Sequence, residues 1–316
     1  MPNLISSPRK WRKKAFLLKA ETTYGTDSTP TGAANYCELR EIDYMPLDVV
    51  RVARNLERPY MGNTEELVES CWAKISGFVG LAPSGTAGTA PAFGPALKAC
   101  GFSETVSAGV SVVYNLISTG FTSACAWMNV DTVKQVMTGM RGNAKFSLVK
   151  GQVPKIDFSF EALFNDLAAG VAVPAVTTTA WKTEEAVNSV NTGPLSINGV
   201  DTAFTSFEVD IAQKLNRRDL PGPQLEITIG DRAPSSTATI LAPALGTLDP
   251  VALVKAGTVI AVSVTHGSAA GKKCKIDLNA KIIDAKQTSI DGDMGWNLSF
   301  QPVPVSGDDE VVVTFL

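Results

Sequence analysis

Alternation of apolar and polar residues runs through most of this chain. Ser206-Phe207-Glu208-Val209-Asp210-Ile211 and Leu225-Glu226-Ile227-Thr228-Ile229 switch at every step, the period of a strand with one face buried. Asp48–Val52 and Cys71–Ile75 carry the β-branched and aromatic residues of further strands, as do segments 112–114, 144–149, 155–160, 259–264, 275–283, 296–300 and 311–316. A helical period surfaces in two short places. Phe93, Ala96, Leu97 and Cys100 fall at i, i+3, i+4 and i+7, with Pro95 in the first turn and Gly101 at the end. The second helix has Asp249 as N-cap, Pro250 at N1, Val251 and Val254 on its apolar face and Gly257 as its stop. The pattern predicts a mainly β protein, an antiparallel sandwich or barrel with one short helix in each half. The C-terminal run Val311–Leu316 is too apolar to stay solvated, so it is expected to be paired.

The order of these elements repeats. Ala53 to Gly62 (ARNLERPYMG) and Lys214 to Gly222 (KLNRRDLPG) are alike, and the best match aligns Arg58-Pro59 and Gly62 with Arg218, Pro221 and Gly222. Each is followed by a strand-like stretch, a loop and a helix candidate, ending at Lys98–Gly101 and Lys255–Gly257. Each half closes on Ser-Phe, in Asp157-Phe158-Ser159-Phe160 and Asn297-Leu298-Ser299-Phe300. A repeat of this kind signals an architecture of repeated surfaces. The expected division is an N-terminal arm and loop over residues 1–35, a first domain over 36–172, a linker over 173–184 and a second domain over 185–316. The Pro174-to-Thr179 run marks the linker.

Composition narrows what such a protein does. The 316 residues suffice for two domains. Charged residues make up only 19%, against 45% hydrophobic. That weakly charged surface, rich in Ser, Thr, Gly and Ala, suits a protein covered by copies of itself. The net charge of −3 argues against general nucleic-acid binding. The 5 cysteines include no C-x-x-C pair and read as reduced, mostly buried thiols. The apolar run Ala15–Leu18 is too short for a signal peptide, and nothing approaches a membrane span.

The search for chemistry finds no working set. His266, the only histidine, sits in Thr265-His266-Gly267-Ser268, which reads as an exposed turn with no metal-ligand spacing around it. Leu81–Pro91 is Gly-rich but lacks both phosphate-loop and dinucleotide spacing. Glu65, Glu66 and Glu69 read as a solvated acidic edge of a hairpin, and Asp291-Gly292-Asp293 as a turn. No catalytic, cofactor or metal site is expected. The basic run Arg9, Lys10, Trp11, Arg12, Lys13 and Lys14 reads as an arm that docks on an acidic neighbour or solvates the terminus.

Several stretches together resemble the phage tail tube protein family of long, non-contractile-tailed bacterial viruses. They are Arg12-Lys13-Lys14 through Leu17–Asp27, Pro30–Ala33, Arg58–Gly62, Gly85–Pro91 and Ala99–Thr105. The likeness is clearest over roughly the first 165 residues. It implies a β-sandwich or barrel flanked by a helix, self-assembling into stacked rings through which phage DNA is ejected. It also implies assembly in the host cytoplasm, residence in the virion tail, no enzymatic activity, and tail terminator, tape measure and distal tail proteins as partners. A chain carrying two tandem tube domains points to three chains in a pseudo-hexameric ring, in place of the usual hexamer. A conduit for DNA needs an acidic or neutral wall, since a cationic one would hold the passing phosphates. Glu57, Glu65, Glu66, Glu69, Glu208, Asp210, Glu226 and Asp231 are the candidates to face that lumen, and Arg9 to Lys14 the candidate inter-ring arm. Alternative roles are another tail structural protein, such as a terminator, distal adaptor or decoration protein, or a carbohydrate-binding β-sandwich.

Overall fold

The computed structural model describes residues 5 and 7–316. The foremost residues of the expected arm, 1–4 and 6, lie outside the described residues. The first half comprises β1 (Lys14–Ala20), β2 (Arg40–Ala53), β3 (Glu66–Gly80), α1 (Gly94–Ala99), β4 (Phe102–Ser107), β5 (Ser111–Leu116), β6 (Ala124–Val130), β7 (Val133–Val149), β8 (Lys155–Leu163) and β9 (Leu167–Ala169). The second comprises β10 (Leu195–Ile197), β11 (Val200–Thr202), β12 (Phe204–Asp210), β13 (Gln213–Leu220), β14 (Gln224–Arg232), β15 (Ser235–Leu241), α2 (Pro250–Ala256), β16 (Ile260–His266), β17 (Cys274–Ile290), β18 (Asp293–Pro302) and β19 (Val311–Phe315). The protein is mainly β and antiparallel, a β-sandwich type as the alternation predicts.

Each half repeats one pairing order. In the first, β2 pairs with β3, β3 with β8 and β8 with β7. In the second, β12 pairs with β15, β15 with β18 and β18 with β17. β7 and β17, 17 residues each, are long enough to serve two sheets. Their C-terminal parts join the four-stranded sheets just described. Their N-terminal parts join an outer layer, β1–β6–β7 in the first half and β10–β16–β17–β19 in the second. One face of each strand fills the space between layers: Phe146, Leu148, Ile156, Phe207, Val209, Ile240 and Leu298 are all 0–1% exposed. Burial on that scale, at roughly 25 cal/mol per Å², holds the layers together.

Among the described residues, strands of the two halves pair with each other in two places. β7 pairs with β12, and the C-terminal β19 lies between β17 and β5 of the first half. The expectation that Val311–Leu316 is paired is met on both of its edges.

Three local features differ from the sequence reading. Residues 1–35 contain a strand, β1, paired along one edge with β6 and packed by α1, whose Ala15–Leu18 run is buried on both faces and so shows no alternation. In α2 the packed face is Pro250, Leu253 and Val254, at i, i+3 and i+4, while Val251 is 46% exposed. His266 is the last residue of β16 and is 2% exposed, because the alternation of that strand runs one residue further than the turn reading allowed.

The helix caps follow the sequence. Asp249 Oδ1 accepts from the Ala252 N–H at 3.0 Å, and Gly257 closes α2 at φ 60°, a left-handed conformation that costs glycine nothing. Ala96 and Leu97 of α1 and the residues that flank it, Phe93 and Cys100, are all buried, as their spacing requires.

Candidate functional site: a continuous sheet, two hairpins and two open edges

The β7–β12 pairing fuses the two four-stranded sheets into one run, ordered β2-β3-β8-β7-β12-β15-β18-β17. One face of this run packs on the core and the other carries polar side chains. Lys155, Asp157 and Ser159 share that outer face on β8, as do Asn143, Lys145 and Ser147 on β7 and Ser206, Glu208 and Asp210 on β12.

Side chains stitch the junction as well. Glu208 accepts from Lys145 Nζ at 2.8 Å and from Ser147 Oγ at 3.3 Å, and Asp210 accepts from Asn143 Nδ2 at 2.7 Å. The Glu208 carboxylate holds the Lys145 ammonium above its ordinary 10.5. Lys155 pairs with Asp157 at 3.0 Å and Lys74 with Asp48 at 2.9 Å. These three lysines are thus coupled to carboxylates.

A hairpin rises from each four-stranded sheet. The first is the outer part of β2–β3, and the second is β13–β14. Their registers correspond in detail. Ladder pairing jumps one residue between Val50 and Arg51 in the first, and between Lys214 and Leu215 in the second, leaving Glu69 and Gly230 as the bulged residues. Below the tips an arginine pairs with a glutamate, Arg54 with Glu65 and Arg218 with Glu226. Register therefore makes Arg54 the counterpart of Arg218, whereas matching the tip motifs had aligned Arg58. The first tip is longer, which displaces a comparison anchored on proline and glycine.

The second hairpin docks on the first half. Ile227 is 0% exposed and packs with Trp72, Leu163, Tyr24 and Leu215. Its N–H donates to the Tyr24 hydroxyl at 2.6 Å, and its carbonyl accepts from Arg141 Nη1 at 2.6 Å. Arg217 lies over the Trp72 ring, donates to Glu161 Oε2 at 3.0 Å and reaches Asp48 Oδ2 at 2.7 Å. Hydrogen bonds from Lys74 and Arg217 hold the Asp48 carboxyl below its ordinary 3.8.

The sequence-predicted residues fall in different places. Glu208 and Asp210 stand on the polar sheet face at the junction. Glu57 lies in the loop of the first hairpin, while Glu65, Glu66 and Glu69 lie at or near the start of β3. Glu226 and Asp231 lie on β14. The fold does not gather these eight into one cluster. In the basic run, the Lys10 N–H donates to Asp131 Oδ2 at 3.0 Å and Lys13 pairs with the same carboxylate at 3.7 Å. Lys14 Nζ sits 3.2 Å from the centre of the 64%-exposed Trp11 ring, and Lys14 opens β1. Arg9 and Arg12 remain exposed. His266 Nδ1 lies 2.8 Å from Thr192 Oγ1, and burial holds the imidazole below its ordinary 6.5. Among the described residues no group of three or more His, Cys, Asp or Glu side chains could hold a metal ion. Sequence reasoning missed Tyr24, Trp72, Arg141, Glu161 and Arg217, whose meeting depends on which strands pair across the halves.

No curated protein matches the chain. A family model does match it. The phage tail tube protein model covers residues 11–315, nearly the whole described chain, and the chain belongs to that family.

Proposed function

We propose that copies of this tail tube protein close into rings of three chains, and that the rings stack into the tube through which phage DNA leaves the virion. The observation that carries this reading is the β7–β12 junction. It joins two like sheets inside one chain, so it supplies a contact that can recur between chains around a closed ring. Each chain then fills two of six equivalent places, and the sixfold symmetry is approximate because the hairpins differ in length. Cryo-electron microscopy of assembled tubes tests the count. Three chains per ring are expected, and six chains per ring overturn it.

The polar sheet face is the proposed lumen wall, with Glu208 and Asp210 on it. Lysines there that are held by carboxylates, such as Lys145 by Glu208, have little counterion to release to DNA, so the duplex slides without sticking. A lumen ringed by unpaired lysines would defeat this assignment. The hairpin carboxylates Glu57, Glu65, Glu66, Glu69, Glu226 and Asp231 are proposed to approach the channel only where the hairpins bend toward it.

The arm from Arg9 to Lys14 is proposed to reach an adjacent ring through the exposed Trp11. Deleting residues 1–13 spares β1, so the subunit should fold while tube formation fails. Normal tubes from that truncation would remove the arm from the interface. Assembly in the host cytoplasm, with tail terminator, tape measure and distal tail proteins as end and lumen partners, completes the reading. A protein that forms one ring and never a tube would instead be a terminator or adaptor.

A further inference from the structure

The eight-strand run has two free ends. Among the described residues, β2 pairs only with β3, and residues 281–290 of β17 pair only with β18. The corresponding positions are not free at the junction inside the chain, where β7 meets β12. Matching the halves strand by strand turns that junction into a template.

The match is anchored by Ser159 and Ser299, which close the repeated Ser-Phe strands. Lys145 pairs with Asp157, and Lys286 pairs with Asn297, the residue equivalent to Asp157. Lys286 is therefore the counterpart of Lys145, and Thr288 that of Ser147. On the other side, Ser76 pairs with Ser159 and Thr237 with Ser299. Asp43 pairs with Ser76 and Glu208 with Thr237, so Asp43 is the counterpart of Glu208 and Met45 that of Asp210. The ion pair that stitches the internal junction, Lys145 with Glu208, is thus represented at the two free ends by another lysine and another carboxylate. Neither Lys286 nor Asp43 has an ion-pair partner among the described residues.

We infer that β2 of one copy pairs antiparallel with β17 of a second copy in the internal register, with Met45 opposite Lys286, Tyr44 opposite Gln287, Asp43 opposite Thr288, and the Asp43 carboxylate bonded to the Lys286 ammonium. This rests on the ring reading and fixes its contact to single residues. A second feature places the same partner. The first half is covered by β13–β14 where Leu163 and Glu161 stand. Their counterparts in the second half, Val303 and Gln301, line an open cleft with Phe121, Ile229 and Pro234. The β2–β3 hairpin of the arriving copy, built like β13–β14, is the piece that fits that cleft. It brings Val68 in the role of Ile229 and Glu66 in the role of Ile227, close to Lys281, the counterpart of Arg141.

The test is disulfide trapping in the full chain. Directly opposed residues of an antiparallel pair lie within disulfide reach. Met45→Cys with Lys286→Cys, oxidised by oxidised glutathione, should yield reducible multimers on gels. Met45→Cys with Gln287→Cys puts the thiols on opposite faces and should stay at the wild-type background set by the native cysteines. As a second reading, Asp43→Lys and Lys286→Asp should each lower assembly at least about tenfold, since each brings like charges together across the contact. The double variant should restore it. Tubes that form without the 45–286 cross-link, or that favour the slipped pair, overturn the register and leave the ring reading standing. A wild-type chain that stays monomeric at every concentration overturns both.

Discussion

The β2–β3 and β13–β14 hairpins are built to one pattern, with the same bulge and the same arginine–glutamate pair, yet their surroundings are opposite. Ile227 and Ile229 of the second are 0% and 9% exposed, whereas Leu67 and Val68 of the first are each 56% exposed. Arg217 finds Trp72, Glu161 and Asp48 within the same chain. Its counterpart by register is Ala53, which faces solvent. The second hairpin is a piece of the monomer's fold. The first is a piece of the same kind, and in the proposed ring its seat lies on a neighbouring copy. In the proposed ring, carrying both hairpins in one polypeptide makes one of two equivalent contacts intramolecular, so it costs no association entropy.

The comparison breaks most severely at Trp72. This side chain is 1% exposed, donates to Ser70 Oγ at 3.0 Å and forms the floor under Arg217 and Ile227. Trp72→Ala should lower stability by about 3–5 kcal/mol, the usual cost of a large cavity. Urea unfolding measures the loss, and limited trypsin digestion should now cut at Arg217 and Arg218. An unchanged digestion pattern would mean the second hairpin is held by its strand continuity alone.

Ile229 and Val68 offer the cleanest contrast, because they occupy equivalent positions. Ile229→Ser should cost about 2 kcal/mol of monomer stability through lost burial. Val68→Ser should cost less than about 0.5 kcal/mol in the monomer, since it is already exposed, while reducing tube yield. Equal stability losses for the two would erase the distinction between a seated and an unseated hairpin.

Much of this arrangement was legible in the sequence where burial is one-sided. β12 and β14 alternate cleanly, and Asp291-Gly292 forms the turn between β17 and β18 with both residues at positive φ. The strands hidden from the pattern are those buried on both faces, such as Ala15–Leu18 in β1 and Ala124–Ala126 in β6, where alternation vanishes. The junction residues were legible only in part. Glu208 and Asp210 stood out by their shared face, but Lys145 and Asn143 become their partners through a pairing between halves that no local pattern encodes. Asp43 and Lys286 were invisible for the same reason.

Arg217→Met tests the polar share of the second hairpin's seat. The guanidinium is partly exposed, so the loss should be about 1–2 kcal/mol and below that of Trp72→Ala. The pH dependence carries a sign. Asp48 titrates below its ordinary 3.8 in the folded chain, so its contribution is fully present above that value and is lost as pH falls through the folded value. The gap between wild type and Arg217→Met should hold steady from neutral pH down to about 4 and then narrow. A gap that widens in acid would assign the stability to a different pair.

A last contrast separates the two helices. Asp249 caps α2 with a side-chain bond to Ala252 N–H, whereas Phe93 at the head of α1 makes no such bond and instead buries its ring against Phe315 and Trp181. α1 is therefore held by packing and α2 more by its own termini, in keeping with only Pro250 being fully buried on α2. Asp249→Ala should cost about 1 kcal/mol and raise amide exchange at residues 251–253. Phe93→Ala should destabilise the whole first half by more than that. If removing the cap left exchange in α2 unchanged, the contacts of Leu253 and Val254 with β17 would have to hold the helix unaided.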